Sequence, residues 1–243
     1  MKTGLPFPDK FSLIILTNFI SLIPASTLSF LKSLKKNNNK PWFDANREKY
    51  LEARNNFEQF VALLLQKMIL FDDDLKELEY KNCLFRINRD VRFSKDKTPY
   101  KISFSASFNK GGKKSIYAGY YLHVQPGGNS FIGGGLWRPE PEQLKKVRQE
   151  IDYCFPEFKK IITTPAFKKN YGELEKDENQ MLVNIPKGYE KENPAADFLR
   201  MKSFVATKNI ADADLGNPKF INEIIQSFKS LKPLLNFINR SFE

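Results

Sequence analysis

The sequence has little cysteine and histidine, with two Cys and one His in 243 residues. Cys83 and Cys154 do not form a C-x-x-C pair, so no disulfide framework is indicated. A zinc site would have to combine both cysteines with His123 and a carboxylate, which is an unusual set of ligands. The sequence therefore predicts no metal site, and it favours a reducing, cytoplasmic location.

Familiar catalytic and nucleotide-binding motifs are also missing. The chain has no Walker loop, no G-x-S-x-G elbow and no G-x-G-x-x-G fingerprint. The acidic run DDD at 72–74 could bind a cation such as Mg²⁺, but three adjacent carboxylates after a helix favour a solvated turn. No cofactor can be assigned from these patterns.

Long hydrophobic runs are scarce as well. The apolar stretch at 11–23 resembles the hydrophobic region of a secretion signal, but no A-x-A cleavage site follows it. It is shorter than the roughly 20 residues that a membrane-spanning helix needs. We therefore expect no membrane span. Residues 1–24 are expected to be an extension or an artefact of start-site choice, dispensable for a single domain at 25–243.

Aromatic residues and positive charge are abundant. The chain has 22 Phe and 9 Tyr, and its formal net charge is +11. The aromatic content supports one large core and argues against disorder. The charge favours phosphates, nucleic acid or anionic lipid as partners, although lysines on solvated faces are the simpler explanation.

Hydrophobic periodicity divides the chain into three blocks. Helical spacing dominates before Cys83 and returns near Pro139, whereas the residues between them alternate with a period of two. Turns at NKGGKK and PGGN separate the strands predicted between about 84 and 137, and a further strand is predicted at 203–207. The sequence thus predicts a single α+β domain, with an antiparallel sheet flanked by N-terminal and C-terminal helices.

The first predicted strand, CLFRINRDVRF, carries an unusual amount of charge. If it is a regular strand, Arg86, Asp90 and Arg92 share one face. A bulge would change this assignment. Arg89 points the other way among apolar neighbours, so we expect it to be buried in a structural ion pair with a carboxylate from a helix. The face with Arg86 and Arg92 can grip a phosphate or carboxylate with two planar guanidinium groups.

The loop that follows, SKDKTPYK, adds cations near that face. Lys97 and Lys101 are predicted to join the two arginines in one anion site, with Tyr100 closing one side. Asp90 would be held ionised between these cations. It could then orient an arginine, bind a metal or act as a base.

His123 is the second candidate for proton transfer. It is predicted to lie on a strand, and the glycines at 133–135 are predicted to lie across a hairpin from residues 120–122, beside it. The missing side chains indicate either a trough that could admit a ligand or close packing of aromatic side chains against bare backbone. A hydrogen-bonded structural role is the alternative for the histidine.

The charged stretch resembles a family signature. The pattern R-x-x-R-D-x-R-F-x-x-[DN]-K-x-x-Y is typical of the bacterial proteins grouped as domain of unknown function 2461. The matching residues are Arg86, Arg89, Asp90, Arg92, Phe93, Asp96, Lys97 and Tyr100. The resemblance also covers FLKSLKKNNNKPWFDANREKY, AGYYLHVQPGG, GGGLWRPEPEQLKKVRQEID and FLRMKSFVA. It implies no activity, cofactor or catalytic residue, but it supports treating the signature as one site.

Three classes of function fit these observations. The first is an enzyme acting on a phosphorylated or other anionic substrate, with Arg86, Arg92 and Lys97 neutralising charge. Asp90 or His123 would then transfer the proton. The second is a binding module for nucleic acid or an anionic metabolite. The third is a structural protein in which the signature is only a buried charge network. The sequence leaves the choice, the ligand and the oligomeric state open.

Overall fold

A four-stranded antiparallel sheet lies at the centre of the computed structural model, which describes residues 22–176 and 181–243. The strands follow the order β1-β2-β3-β4. They are β1 (Phe104–Asn109), β2 (Gly119–Val124), β3 (Ser130–Leu136) and β4 (Phe204–Ile210). The prediction of a single α+β domain with an antiparallel sheet is confirmed.

Helices surround this sheet on both sides in sequence, as predicted. Those before it are α1 (Ala25–Lys36), α2 (Lys40–Ala45), α3 (Arg47–Met68) and α4 (Tyr80–Cys83). Those between β3 and β4 are α5 (Pro141–Tyr153), α6 (Phe155–Ile162), α7 (Pro165–Tyr171) and α8 (Ala196–Leu199). Near the C-terminus lies α9 (Phe220–Asn239). Across residues 22–176 and 181–243, no helix is both long and apolar enough to cross a membrane.

The predicted N-terminal extension falls mostly on residues 1–21, which lie outside the described residues. Its last part is visible. Ile23 is buried, and its N–H donates to the Leu215 carbonyl at 2.8 Å. The folded domain therefore includes Ile23 as well as the first helix.

The two faces of the sheet have different surroundings, because alternate side chains of a strand point to opposite faces. On one face, Tyr120 contacts Phe228 of α9 with ring centroids 4.9 Å apart, and Leu122 is fully buried. On the other face, Tyr121 and His123 are only half-buried. The helices thus cover one face and leave the other face open to a ligand.

Residues 83–93 do not form the regular strand that the sequence predicted. Only isolated bridges occur there, from Leu84 to Ala106 and from Asn88 to Tyr100. The regular sheet consequently starts at β1, about twenty residues later than the alternation of side chains indicated.

The charged stretch folds back on itself instead, as an irregular hairpin of residues 86–101, here called the signature hairpin. The Arg89 N–H donates to the Pro99 carbonyl at 2.9 Å, and the Lys101 N–H donates to the Ile87 carbonyl at 2.7 Å. Proline has no N–H, so Pro99 cannot continue a regular ladder. The alternation on which the predicted anion-binding face depended is therefore absent.

The acidic run at 72–74 is not the fully solvated turn that the sequence favoured. Asp72 is buried, accepts a hydrogen bond from the Tyr120 hydroxyl at 2.6 Å and pairs with Lys232 Nζ at 3.2 Å. Asp72 thus connects the sheet to α9. The part of the chain that the structure describes contains no cluster of His, Cys, Asp and Glu suited to a metal ion.

Candidate functional site

A groove of about 710 Å³ opens on the sheet face opposite α9. Small-molecule sites in proteins typically span about 300–1,000 Å³, so the groove can hold a metabolite. Side chains of the strands form its floor, and loops form its walls. The lining includes Phe85, Ser107, Lys113, Lys114, Tyr121, His123, Phe131, Trp137, Arg138, Glu140, Gln143, Glu175 and Thr207.

Three aromatic rings stand together on the floor. His123 and Phe131 are partners across β2 and β3, with ring centroids 4.8 Å apart and planes inclined by 19°. Tyr121 lies beside them, with its ring centroid 6.2 Å from that of His123. A planar group on a ligand can stack against such rings.

His123 has one nitrogen in use and one without a partner. Its Nε2 lies 3.2 Å from Gln125 Oε1, whereas the buried Nδ1 has no hydrogen-bond partner among residues 22–176 and 181–243. Burial lowers the pKa of His123, the hydrogen bond with Gln125 opposes this effect, and the charge of Lys101 lowers the pKa further. The ring is consequently neutral at pH 7, and it could accept a proton.

Cations enter the groove from two loops. Lys113 and Lys114 belong to the turn between β1 and β2, and Arg138 follows β3. Both loops lie at the same end of the strands, because Gly119 at the start of β2 pairs with Gly135 near the end of β3. Three positive charges therefore lie along one end of the groove.

The known partners of these cations are uncharged. Lys113 Nζ donates to the Leu84 carbonyl at 2.6 Å. The Arg138 guanidinium lies over the Trp137 ring, 5.1 Å from its centroid, and Arg138 adopts a φ of 46°, which is uncommon outside glycine. These contacts hold the two side chains in place without neutralising them.

Phe85 joins the groove to the signature hairpin. Its ring meets that of Tyr121 edge to face, with centroids 6.1 Å apart. The Nζ atoms of Lys101 and Lys113 lie 5.4 and 5.8 Å from the Phe85 centroid. Burial and the nearby charge of Arg86 lower the pKa of Lys101. Positive charge is thus crowded at this rim.

The glycines at 133–135 line the groove and also permit close packing of the backbone. A Cβ on Gly133 would clash with the Ala206 carbonyl oxygen, and one on Gly135 would clash with that of Phe204, so the bare backbone lets β4 approach β3 closely. A Cβ on Gly134 would lie 2.7 Å from Leu231 Cδ2, so α9 also packs closely on the sheet there.

Arg89 holds the signature hairpin together from within. Its Nη1 lies 2.5 Å from Asp96 Oδ2 and donates to the Thr98 carbonyl at 3.1 Å, and it also contacts the Thr98 hydroxyl. The partner is therefore a carboxylate of the same hairpin, not one from a helix as predicted. The pair is not fully buried either, since the side chains are 24% and 60% exposed. Hydrogen bonds from Thr98, followed by that from Arg89, lower the pKa of Asp96.

Arg92 and Asp90 bind each other. Arg92 donates from Nε to Oδ1 at 3.0 Å and from Nη2 to Oδ2 at 2.7 Å. This contact lowers the pKa of Asp90 and raises that of Arg92. A carboxylate with a lowered pKa is a weak base, so Asp90 is suited to orienting Arg92 rather than to accepting a proton.

The other predicted ligand-binding residues are divided between two places. Lys97 Nζ donates to the Val91 carbonyl at 3.0 Å and closes the hairpin tip. Tyr100 is buried and stacks on Phe43, with centroids 4.0 Å apart. Arg86 is exposed and acts electrostatically on Lys101, which in turn acts on His123. Of the predicted site residues, His123 lines the groove, and Lys101 lies next to the lining residue Phe85.

Several important residues were not indicated by the sequence. The side chain of Asn38 binds the backbone of Tyr100 and anchors the hairpin to the segment between α1 and α2. Lys113 and Phe131 line the groove, but they belong to a turn and a strand without a distinctive motif. The basic turn NKGGKK was the one signal that could have indicated Lys113.

A family model described as conserved hypothetical protein (DUF2461) matches residues 26–237. No curated protein and no solved structure matches the chain. The matched range includes the signature hairpin and every residue named above as lining the groove. The chain belongs to the DUF2461 family of conserved hypothetical proteins.

Proposed function

We propose that the groove binds a small anionic molecule that carries a planar ring, such as a nucleotide. The carrying observation is the rim at Phe85, where the ammonium groups of Lys101 and Lys113 lie over one ring. The contact of Lys113 with the Leu84 carbonyl does not neutralise its charge, and burial and the charge of Arg86 lower the pKa of Lys101. A phosphate or carboxylate bound near them would offset these positive charges.

The floor supports the ring of the ligand. The stacked pair of His123 and Phe131 lies on the same face as the cationic rim, next to Tyr121. Aromatic side chains with a few convergent polar groups are typical of small-molecule sites. The charged part of the ligand would lie at the lysines and its planar part over these rings.

The carboxylates of the groove suit hydroxyl or amino groups of the same ligand. Glu140 precedes α5, where its N–H donates to Gln143 Oε1 at 3.0 Å, and Glu175 accepts a hydrogen bond from the Thr207 hydroxyl. Both retain acceptor capacity, because an ionised carboxylate has about four lone-pair sites. They would repel an anion, which orients it towards Lys101 and Lys113.

Catalysis on such a ligand is a second candidate function, favoured by the uncommitted Nδ1 of His123 in the floor. Proton transfer requires a titratable group within hydrogen-bond reach of the ligand. His123 lies in the floor and has a nitrogen without a partner among residues 22–176 and 181–243, whereas the oxygens of Asp90 are bound by Arg92. The third alternative is that the signature is only a structural charge network, in which case no ligand binds in the groove.

Isothermal titration of the full chain tests the proposal with four probes: thymidylate, thymidine, inorganic phosphate and benzoate. We expect thymidylate to bind and thymidine to bind more weakly. Lys113→Gln should weaken thymidylate binding by about tenfold or more, since hydrogen bonds to charged groups contribute about 1.5–3 kcal/mol. Lys169→Gln, an exposed lysine on α7, is the matched control. Equal binding of thymidine and thymidylate, or binding of none of the probes, would contradict the proposal.

A further inference from the structure

Positive charge continues from the groove onto the signature hairpin. Lys113 and Lys101 share the ring of Phe85. The Lys101 N–H donates to the Ile87 carbonyl at 2.7 Å, and Arg86 directly precedes Ile87, so Arg86 lies beside Lys101 where the hairpin begins. The cations therefore form one row rather than two separate clusters.

The row extends to the tip of the hairpin. Arg92 is the next cation of the row, and its guanidinium binds Asp90. Lys97 lies beside it, with its Nζ 3.5 Å from the Arg92 carbonyl oxygen. The hairpin holds six cationic side chains and two carboxylates. Both carboxylates, Asp90 and Asp96, are bound by arginines, so the tip keeps a positive excess.

Phe93 stands at this tip and is 95% exposed. A single exposed apolar residue is ordinary on a protein surface. Here, however, the loop that presents it is held by Arg89 from within and by Lys97 across the tip. The Arg92 guanidinium lies 5.8 Å from the ring centroid. The Phe93 ring is thus presented by a basic loop of fixed conformation, and the face of the ring is accessible to a partner.

Basic side chains interleaved with exposed rings are the means by which proteins hold single-stranded nucleic acid, because every base has a face that stacks. A small anion would fill the groove without reaching Phe93. Bases of a duplex are stacked on each other and cannot reach the groove floor. A membrane surface could meet the hairpin tip but would not enter the groove.

From this arrangement we infer that the ligand of the groove is the end of a single-stranded nucleic acid, whose flanking nucleotides lie along the signature hairpin. The inference rests on the proposed function and extends it. The terminal nucleotide occupies the groove, with its base near His123 and Phe131 and its phosphate near Lys113. The next phosphates contact Lys101, Arg86 and the tip cations, and one base stacks on Phe93.

Fluorescence anisotropy of the full chain with a labelled oligothymidylate of about ten nucleotides tests this inference, alongside the thymidylate titration. Phe93→Ala should weaken oligonucleotide binding about 5- to 150-fold, the usual effect of losing one stacked base, and leave thymidylate binding unchanged. Lys95→Gln, at an exposed position of the tip, should reduce the dependence of log K on log salt by about 0.7. Lys113→Gln should weaken the binding of both the oligothymidylate and thymidylate.

Tyr153→Ala, which removes an exposed ring on α5, is the control for Phe93→Ala, and thermal melts check that each variant folds. The inference is overturned if the oligonucleotide binds no more tightly than thymidylate, or if Phe93→Ala binds it normally. It is also overturned if vesicles of phosphatidylserine and phosphatidylcholine bind the tip in preference to the oligonucleotide. If thymidylate still binds and its binding still depends on Lys113, these results overturn the inference but leave the proposed function intact. If thymidylate does not bind, the proposed function itself is contradicted.

Discussion

The side chain of Asn38 binds both backbone groups of Tyr100: its Nδ2 donates to the Tyr100 carbonyl at 2.8 Å, and the Tyr100 N–H donates to its Oδ1 at 3.1 Å. The Tyr100 ring stacks on Phe43 of α2. The last residues of the signature hairpin are therefore fixed to the helical layer, and Lys101 is held next to the groove.

Asn38→Ala should destabilise the fold by about 1–3 kcal/mol, because two hydrogen bonds of about 0.5–1.5 kcal/mol each are lost. Amide hydrogen exchange should accelerate most in the signature hairpin. Asn37→Ala is the control, since that side chain donates to the Ser33 carbonyl at the end of its own helix. Equal effects of the two variants would mean that Asn38 does not anchor the hairpin.

Arg89 and Arg92 should respond differently to mutation. Arg89→Ala should destabilise by about 1–3 kcal/mol through its lost hydrogen bonds to Thr98. This is less than expected for a buried ion pair, because Asp96 stays in contact with water. Arg92→Ala should leave the melting temperature nearly unchanged, since its pair with Asp90 is exposed. Denaturant unfolding measures the free energy of unfolding of both variants. A larger decrease for Arg92→Ala than for Arg89→Ala would contradict the roles given to the two arginines.

The single histidine gives a prediction on pH. Burial lowers the pKa of His123, so the unfolded chain binds a proton more readily than the folded chain does. Stability contributed by neutral His123 is then fully present above its ordinary pKa of about 6.5 and is lost as pH falls from there towards the lowered folded value. Urea unfolding between about pH 8 and pH 5 should show this loss, and His123→Gln should diminish it.

Anion binding should change with pH in the opposite direction. The charge of Lys101 lowers the pKa of His123, so a phosphate bound at Lys101 would offset this effect and favour the protonated ring. Thymidylate should therefore bind more tightly as pH falls and should take up a proton. Lys101 opposes the protonation, and Gln125 is the hydrogen-bonding neighbour of the ring. Titrations in buffers of different ionisation enthalpy report the proton uptake. Affinity that is independent of pH in the wild type and in His123→Gln alike would place the anion elsewhere.

The N-terminal extension can be tested by two deletions. Removal of residues 1–21 should leave cooperative unfolding intact, as the sequence predicted for the whole of 1–24. Removal of 1–24 also deletes buried Ile23, and this should cost about 1.5–3 kcal/mol more. Thermal melts of both truncated chains make the comparison. Collapse of cooperative unfolding in the shorter deletion would contradict the prediction.

The sequence predicted the sheet where alternation and turns agree. Residues 104–109 alternate and are followed by NKGGKK, and β1 and the turn were both found. Residues 83–93 alternate equally well, yet they form no strand. Periodicity does not register that Arg89 bonds to Thr98 within the hairpin, or that Pro99 has no N–H for a regular ladder. Contacts inside the signature hairpin therefore take the place of a regular strand.

The site was harder to predict, because its parts are distant in sequence. Phe85, Lys113 and Trp137 come together only when the sheet forms, and no motif joins them. The signature drew attention to Lys101 and Arg86, which are neighbours in the hairpin, but much of its other charge is used inside the hairpin. Stacking of His123 on Phe131 depends on strand register, which a single sequence does not fix.

The most direct test of the account is the proton resonance of the imidazole C2–H, which reports on His123 alone because the chain has one histidine. Thymidylate added to the wild-type chain should shift this signal in a saturable manner, with the dissociation constant found by calorimetry. Lys113→Gln should weaken the response about tenfold or more, and Lys169→Gln should not. A His123 signal that stays in place while thymidylate binds would show that the groove is not the anion site.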